Sequence, residues 1–184
     1  MLTTKDLVRI ALFAALIAAL GLIPKFDLPF TAGVPITAQT LGVMLAGLIL
    51  GPRRGLLAVL LFLFVVALGA PVLSGGRGGL GVFFGPTVGF LAGWVIGAWL
   101  CGAVFFWLVR QWPEKIFPAA LAAAMLGGIA AVYVVGIPIL ALITDMPLDK
   151  AAWVSLAFVP GDLIKAFLAA WLTLRLHRAG LRPR

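Results

Sequence analysis

Cysteine, histidine and acidic residues are all scarce in this chain. Its one cysteine, Cys101, sits inside an apolar run, so neither a disulfide framework nor a thiolate metal site can be assembled. Its one histidine, His177, stands beside a basic C-terminal stretch, and Asp and Glu together number 6 in 184 residues. No metal-ligating cluster and no Ser/His/Asp set is available from that inventory, so the chain reads as a non-enzyme without metal or cofactor. No glycine-rich segment ends in Gly-Lys-Ser/Thr, which removes nucleotide hydrolysis within this chain. Charged residues of all kinds amount to 11%, under half of the roughly 25% usual in a soluble domain.

What fills their place is apolar: 64% of the residues are hydrophobic. They fall into six blocks, about 6–23, 36–51, 55–70, 86–110, 118–143 and 150–177, separated by proline, glycine and charge. A hydrocarbon core of about 30 Å needs roughly 20 apolar residues per helical crossing. The expectation is an all-α integral membrane protein of six transmembrane helices, forming a single domain over 1–184. Lys5 and Arg9 ahead of the apolar stretch from Ile10 to Ile23 imitate a signal peptide. No small-x-small site leads into a polar mature domain, so this reads as a first helix that stays. Gly51-Pro52-Arg53-Arg54 reads as a tight turn closing a hairpin of the second and third blocks.

A net charge of +8 would suggest nucleic acid in a soluble protein, but here the placement of charge matters more. With an inner N-terminus, one side collects Lys5, Arg9, Arg53, Arg54, Arg110, Lys115, Arg175, Arg178, Arg182 and Arg184. The other collects Lys25, Arg77 and Lys150. This bias holds only for an even helix number, so both termini are expected to be cytoplasmic, in a bacterial plasma membrane, with no nucleic-acid partner. The outer connections are then about 24–35, 71–85 and 144–149. Pro24, Pro29, Gly33 and Pro35 shape the first, and six glycines crowd 75–85 in the second. Elaborate loops on one side of a bundle suit either a binding mouth or plain connectors.

The most informative residues are Asp162 and Lys165, inside the sixth block and on one helix face at spacing i, i+3. Each charge costs about 2.5–3.5 kcal/mol in a bilayer interior, so such residues face a cavity or a partner. The pair either neutralises itself or offers an acceptor and a donor to a polar substrate. Pro160-Gly161 just before it predicts either a simple kink or backbone groups freed to line a site. In the loop 74–87, Gly78 and Gly79 let backbone N–H groups approach a ligand, and a helix start at Pro86 or Thr87 suits a carboxylate. Phe83, Phe84, Phe90 and Trp94 serve either as stacking surfaces or as packing and lipid-facing aromatics. In the first block Ala11, Ala15 and Ala19 form a small-residue stripe, with Ala14 and Ala18 on the adjacent face. Such a stripe suits close helix packing, within the chain or against another membrane subunit.

At these residues the chain resembles the BioY family, the biotin-binding S components of energy-coupling factor (ECF) vitamin transporters. The segments that carry the resemblance are Val34-Pro35-Ile36-Thr37-Ala38-Gln39-Thr40-Leu41-Gly42, the loop from Gly78 through Phe90, Tyr133-Val134-Val135-Gly136, and Pro160-Gly161-Asp162-Leu163-Ile164-Lys165. The resemblance implies the S-component fold, an extracellular site, and biotin as the ligand. It also implies a transmembrane coupling subunit and two cytoplasmic ATPase subunits as partners within the lipid bilayer, the alanine stripe being the docking face. Asp162 and Lys165 correspond to the family's biotin-contacting acid and lysine. Gln39, Gly78, Gly79, Phe83, Thr87, Phe90 and Tyr133 complete the substrate-binding set that the matching segments imply. Either Asp162 accepts from a ureido N–H while Lys165 donates to the ureido oxygen and the Gly78–Gly79 loop holds the carboxylate, or Lys165 takes the carboxylate. Arg77 stands where a small polar residue is expected, and either supplements the carboxylate site or faces solvent. The rival readings are an S component for another vitamin, such as thiamine or riboflavin, a membrane scaffold without a small ligand, and a chromophore protein bound through Lys165.

Overall fold

The computed structural model of the protein describes residues 2–24 and 34–180. Lys25, Asp27, Arg182, Arg184 and most of the expected 24–35 connection lie outside the described residues. Among the described residues six helical rods follow one another. They are α1 (Thr4–Leu20), α2 (Gln39–Leu50), α3 (Pro52–Ala67), α4 (Val88–Gln111), α5 (Ile116–Thr144) and α6 (Leu148–Arg178). The last three are long and apolar enough to cross a membrane; α4, with 24 residues, is about 36 Å long at 1.5 Å per residue. The 12-residue α2 is too short for that, and nine of its residues are buried, which makes it the inner helix of the bundle.

Local chemistry explains the element ends. Thr3 and Asp6 form a reciprocal capping box at the start of α1, with Thr3 N–H donating to Asp6 Oδ2 at 3.1 Å. Asp6 also pairs with Arg54 Nε at 3.2 Å, tying the first turn of α1 to the first turn of α3. The turn between α2 and α3 is tighter than the expected four residues. Gly51 alone makes it, at φ 84°, and Pro52 opens α3, because its fixed φ suits a first helical position. Arg53 and Arg54 therefore stand on the helix.

The rods meet through small residues, the geometry that lets backbones approach where lipid gives no hydrophobic drive. A Cβ on Gly47 of α2 would collide with the Ala98 carbonyl of α4, and one on Gly127 of α5 with the Cys101 amide nitrogen. Opposite α4, residues Ala124–Ala131 of α5 wind as a π-helix, and Leu156–Phe158 of α6 as a 3-10 turn. Irregular turns of both kinds recur at functional sites. Large apolar side chains such as Trp107, Trp153, Val134 and Leu142 lie exposed on the outer surface, as a lipid-facing surface requires. On α1, Ile10, Ala14 and Ile17 turn inward, whereas Ala11, Ala15 and Ala19 are exposed.

Candidate functional site

Val132 and Tyr133, which directly follow the π-helical stretch of α5, and Phe158 of the 3-10 turn of α6 line one cavity. It is a narrow cleft, with about 60 Å³ of clear interior. The start of α2, the loop 71–79, the first two turns of α4, the middle of α5 and the 158–165 stretch of α6 enclose it. Its walls are apolar and aromatic: Phe90, Trp94, Tyr133 and Phe158 stand around it. Phe90 meets Tyr133 and Phe158 edge-on, with ring centroids 6.4 Å and 6.0 Å apart, an arrangement favoured by the ring quadrupoles. Gly136 makes that possible, since a Cβ there would stand 2.6 Å from the Phe90 ring.

Asp162 supplies the polar end. Its carboxylate is buried and accepts three hydrogen bonds from three helices. Lys165 Nζ donates to Oδ1 at 2.8 Å, Tyr133 Oη to Oδ2 at 2.6 Å, and Thr40 Oγ to Oδ1 at 3.3 Å. A carboxylate taken from water into an apolar bundle is tolerable when paired and hydrogen-bonded in this way. The i, i+3 couple is ion-paired at 2.8 Å, and Asp162 and Lys165 both line the cavity. The backbone explains the placement. The 3-10 turn Leu156–Phe158 tightens α6, Pro160 sits at the start of the α-helical stretch that follows, and Asp162 falls in its first turn. On α5 the π-helical stretch ends at Ala131, two residues before Tyr133, and widening of those turns resets the direction in which Tyr133 emerges.

Of the sequence candidates, Asp162, Lys165, Tyr133, Phe90, Thr87 and Gln39 come together on this cavity, and Arg77 joins them. Gln39 lines it with its amide fully engaged elsewhere in the protein, as described below. Gly78 lines a separate shallow depression formed with Gly76, Gly81, Val82, Gly85 and Pro86, into which Thr87 and Arg77 also reach. Gly79 and Phe83 line neither. Gly79 has φ 83° and donates its N–H to Val66 O at 2.8 Å, while Phe83 packs against the core. A Cβ on Gly78 would collide with the Ala70 carbonyl, so these glycines have a structural occupation in closing the loop. Thr40, Phe158 and Leu73 are cavity residues that sequence reasoning missed. The signals available for Thr40 were its spacing of three from Thr37 and its place beside Gln39. Trp94, considered only as a generic aromatic, stands one helical turn beyond Phe90, the spacing that puts both on one face.

Comparisons with known proteins agree with this fold. Residues 1–182 match the family model described as the BioY family. A biotin transporter BioY of Rhizobium etli is 51% identical over 173 residues, covering 93% of this chain and 92% of its own. A probable biotin transporter BioY of Bacillus subtilis is 47% identical over 179 residues, covering 97% and 94%. A crystal structure of the S-component for biotin from an ECF-type ABC transporter superposes with a TM-score of 0.88 at 34% identity, covering 95% of this chain and 91% of that one.

Proposed function

The chain belongs to the BioY family, and from that premise we propose that it captures biotin as the substrate-binding subunit of an ECF-type transporter. It is a transporter component and not an enzyme. The observation that carries the reading is the Asp162–Lys165 couple at the polar end of an aromatic cavity, with Tyr133 and Thr40 on the same carboxylate.

Biotin offers a ureido group with two N–H donors and a carbonyl acceptor, a thioether ring, and an apolar chain ending in a carboxylate. Asp162 accepts a ureido N–H while Lys165 and Tyr133, its present donors, stand beside it to donate to the ureido oxygen. A charged donor and acceptor side by side match a group that carries both functions, and hydrogen bonds to charged groups are worth about 1.5–3 kcal/mol each. Phe90, Trp94 and Phe158 enclose the ring system. The valerate then runs toward Thr87, Arg77 and the glycine loop at the mouth. Both termini lie in the cytoplasm of a bacterium, with the cavity open to the outside across the plasma membrane. A coupling subunit docks on the exposed Ala11, Ala15 and Ala19 stripe, and two ATPase subunits supply the energy that this chain has no motif to supply.

Calorimetric titration of the purified protein with biotin tests this reading directly. Asp162→Asn and Lys165→Ala are expected to weaken binding at least tenfold with the fold retained. Unchanged affinity in either variant would remove the site assignment. Biotin methyl ester separates the two orientations: with Lys165 on the ureido oxygen, Lys165→Ala costs the ester and the free acid the same factor, whereas with Lys165 on the carboxylate it costs the free acid far more than the ester.

A further inference from the structure

Gln39 is the most completely engaged side chain at the cavity, and none of its hydrogen bonds points at a ligand. Its side chain is fully buried. Nε2 donates to Ile17 O at 3.0 Å and Val72 O at 3.1 Å, and Oε1 accepts from Ser74 N at 3.0 Å and Ser74 Oγ at 3.2 Å. Two donors and two acceptor positions are all that a primary amide possesses. The partners also fix which atom is which, because a flipped amide would set its oxygen against two carbonyls. Gln39 N–H in turn donates to Thr37 Oγ at 3.1 Å, and the Thr37 and Ser74 hydroxyls are in hydrogen-bond contact. One proton order satisfies every member: Gln39 N–H to Thr37 Oγ, Thr37 O–H to Ser74 Oγ, Ser74 O–H to Gln39 Oε1. The result is a closed ring with no spare proton and no spare lone pair on the amide.

This ring joins three pieces of the protein: the last turn of α1, the start of α2, and the loop 70–79. Ser74 lies at the turn of a tight antiparallel bridge between Leu73 and Arg77, and both of those residues line the cavity. Arg77 Nε donates to Ser74 O at 3.3 Å, so the guanidinium is oriented by the residue that Gln39 holds. The joint is as tight on the far side. A Cβ on Gly21, the residue capping α1, would collide with the Val72 carbonyl and come within 2.8 Å of Gln39 Nε2.

We propose that Gln39 is a positioning residue that contacts no substrate and fixes the Leu73–Arg77 turn as the wall a ligand must pass to enter or leave. The proposal rests on the biotin reading. A contact residue and a wall-holding residue differ in kinetics: losing a contact speeds departure alone, whereas loosening the wall speeds both passages.

Three variants of the full chain in lipid nanodiscs test this with labelled biotin, by association and by chase with unlabelled biotin. Gln39→Glu is nearly isosteric and sets a carboxylate oxygen against the Ile17 and Val72 carbonyls. Gly21→Ala wedges the same joint without touching Gln39, and Asp162→Asn removes a contact. Gln39→Glu and Gly21→Ala are expected to quicken dissociation at least tenfold and association at least threefold, with Asp162→Asn quickening dissociation only. A general loss of stability lowers the active fraction and leaves both rate constants of the active protein alone, so the rates distinguish it. Wild-type rate constants in folded Gln39→Glu and Gly21→Ala overturn the proposal, as does faster dissociation without faster association. Should Gln39→Glu not fold, Gly21→Ala and Ser74→Ala decide by the same criterion. If the wild-type chain binds no biotin, the functional reading itself falls, whereas normal wild-type binding with unaltered variants removes only the role of Gln39.

Discussion

The two ends of the helical bundle are built from different residues. Around the cavity the buried core is large and aromatic, with Phe62, Phe90, Trp94 and Phe158 among Val and Leu. Toward the other end the contact between α5 and α6 is small, Ala119, Ala120, Ala123 and Ala124 against Ala166, Ala169 and Ala170, with Met44, Leu48, Cys101, Phe105 and Ile116 around it. Small side chains bring helix axes close, and axes that are close leave nothing between them. Large, rigid rings hold axes apart and surround a space. The same α5 and α6 take part in both, so the alanine end acts as a clasp that lets the aromatic end stay open without the bundle splaying. The polar groups are divided accordingly: the Asp162 cluster and the Gln39 ring both belong to the open end.

The largest break in this contrast comes from adding volume at the closed end. Gly127 stands where α5 touches the α4 backbone, and a Cβ there would collide with Cys101 N and Gly97 O. Neither atom belongs to a flexible side chain, so Gly127→Val has no cheap relaxation. Overpacking of this kind costs about 1–3 kcal/mol and occasionally more. We expect Gly127→Val at the upper end, read as a melting temperature lowered by roughly 10 °C in detergent and a loss of monodisperse protein. Gly81→Ala, with nothing within 4 Å of the new Cβ, is the matched control and is expected to melt with the wild type.

At the open end the next effect is polar. Tyr133→Phe keeps the edge contact with Phe90 and removes the 2.6 Å hydrogen bond to Asp162 Oδ2. In the proposed complex the same phenol donates to the ureido oxygen, so its loss removes a ligand contact and biotin affinity should fall about tenfold, with the melting temperature changed by only a few degrees. Calorimetric titration of the variant checks it. A larger loss of stability than of affinity would make the phenol a support of the empty fold alone.

How much of this was legible beforehand follows the same division. Six apolar blocks, and the charged couple in the last of them, are one-dimensional signals, and the helices and the polar end of the cavity follow from them. The blocks overstate α2, because burial inside a bundle and immersion in lipid select the same residues, and only the structure separates the 12-residue inner helix from the long outer ones. The close approach of α4 and α5 is written in scattered Gly89, Gly93, Gly97 and Gly127, whose partners are distant in sequence. The loop glycines are ambiguous for a related reason. Gly78 and Gly79 carry the composition of a ligand-cradling loop, yet nothing local announces the Ala70 carbonyl or the Val66 carbonyl that they serve. Gln39 shows the problem most sharply: a polar side chain in a matching segment beside the site invites a ligand role, and its employment depends on Ile17, Val72 and Ser74 together.

Thr40 gives the smallest effect and the finest test of how the open end works. Its hydroxyl lies 3.3 Å from Asp162 Oδ1 and 3.5 Å from the Thr37 carbonyl, and one proton cannot serve both well. Both distances exceed the usual 2.7–2.8 Å of an O–H···O bond, so the net contribution belongs near the bottom of the range, about 0.5 kcal/mol. Valine preserves the shape and removes only the hydroxyl. Thr40→Val should therefore weaken biotin by about two- to threefold, far less than Tyr133→Phe, although both side chains meet the same carboxylate. A tenfold loss on titration would mean that the threonine proton turns to the ligand once the cavity is filled. In that case Asp162 would owe its placement to Tyr133 and Lys165, and the start of α2 would belong to the recognition surface as well as to the wall.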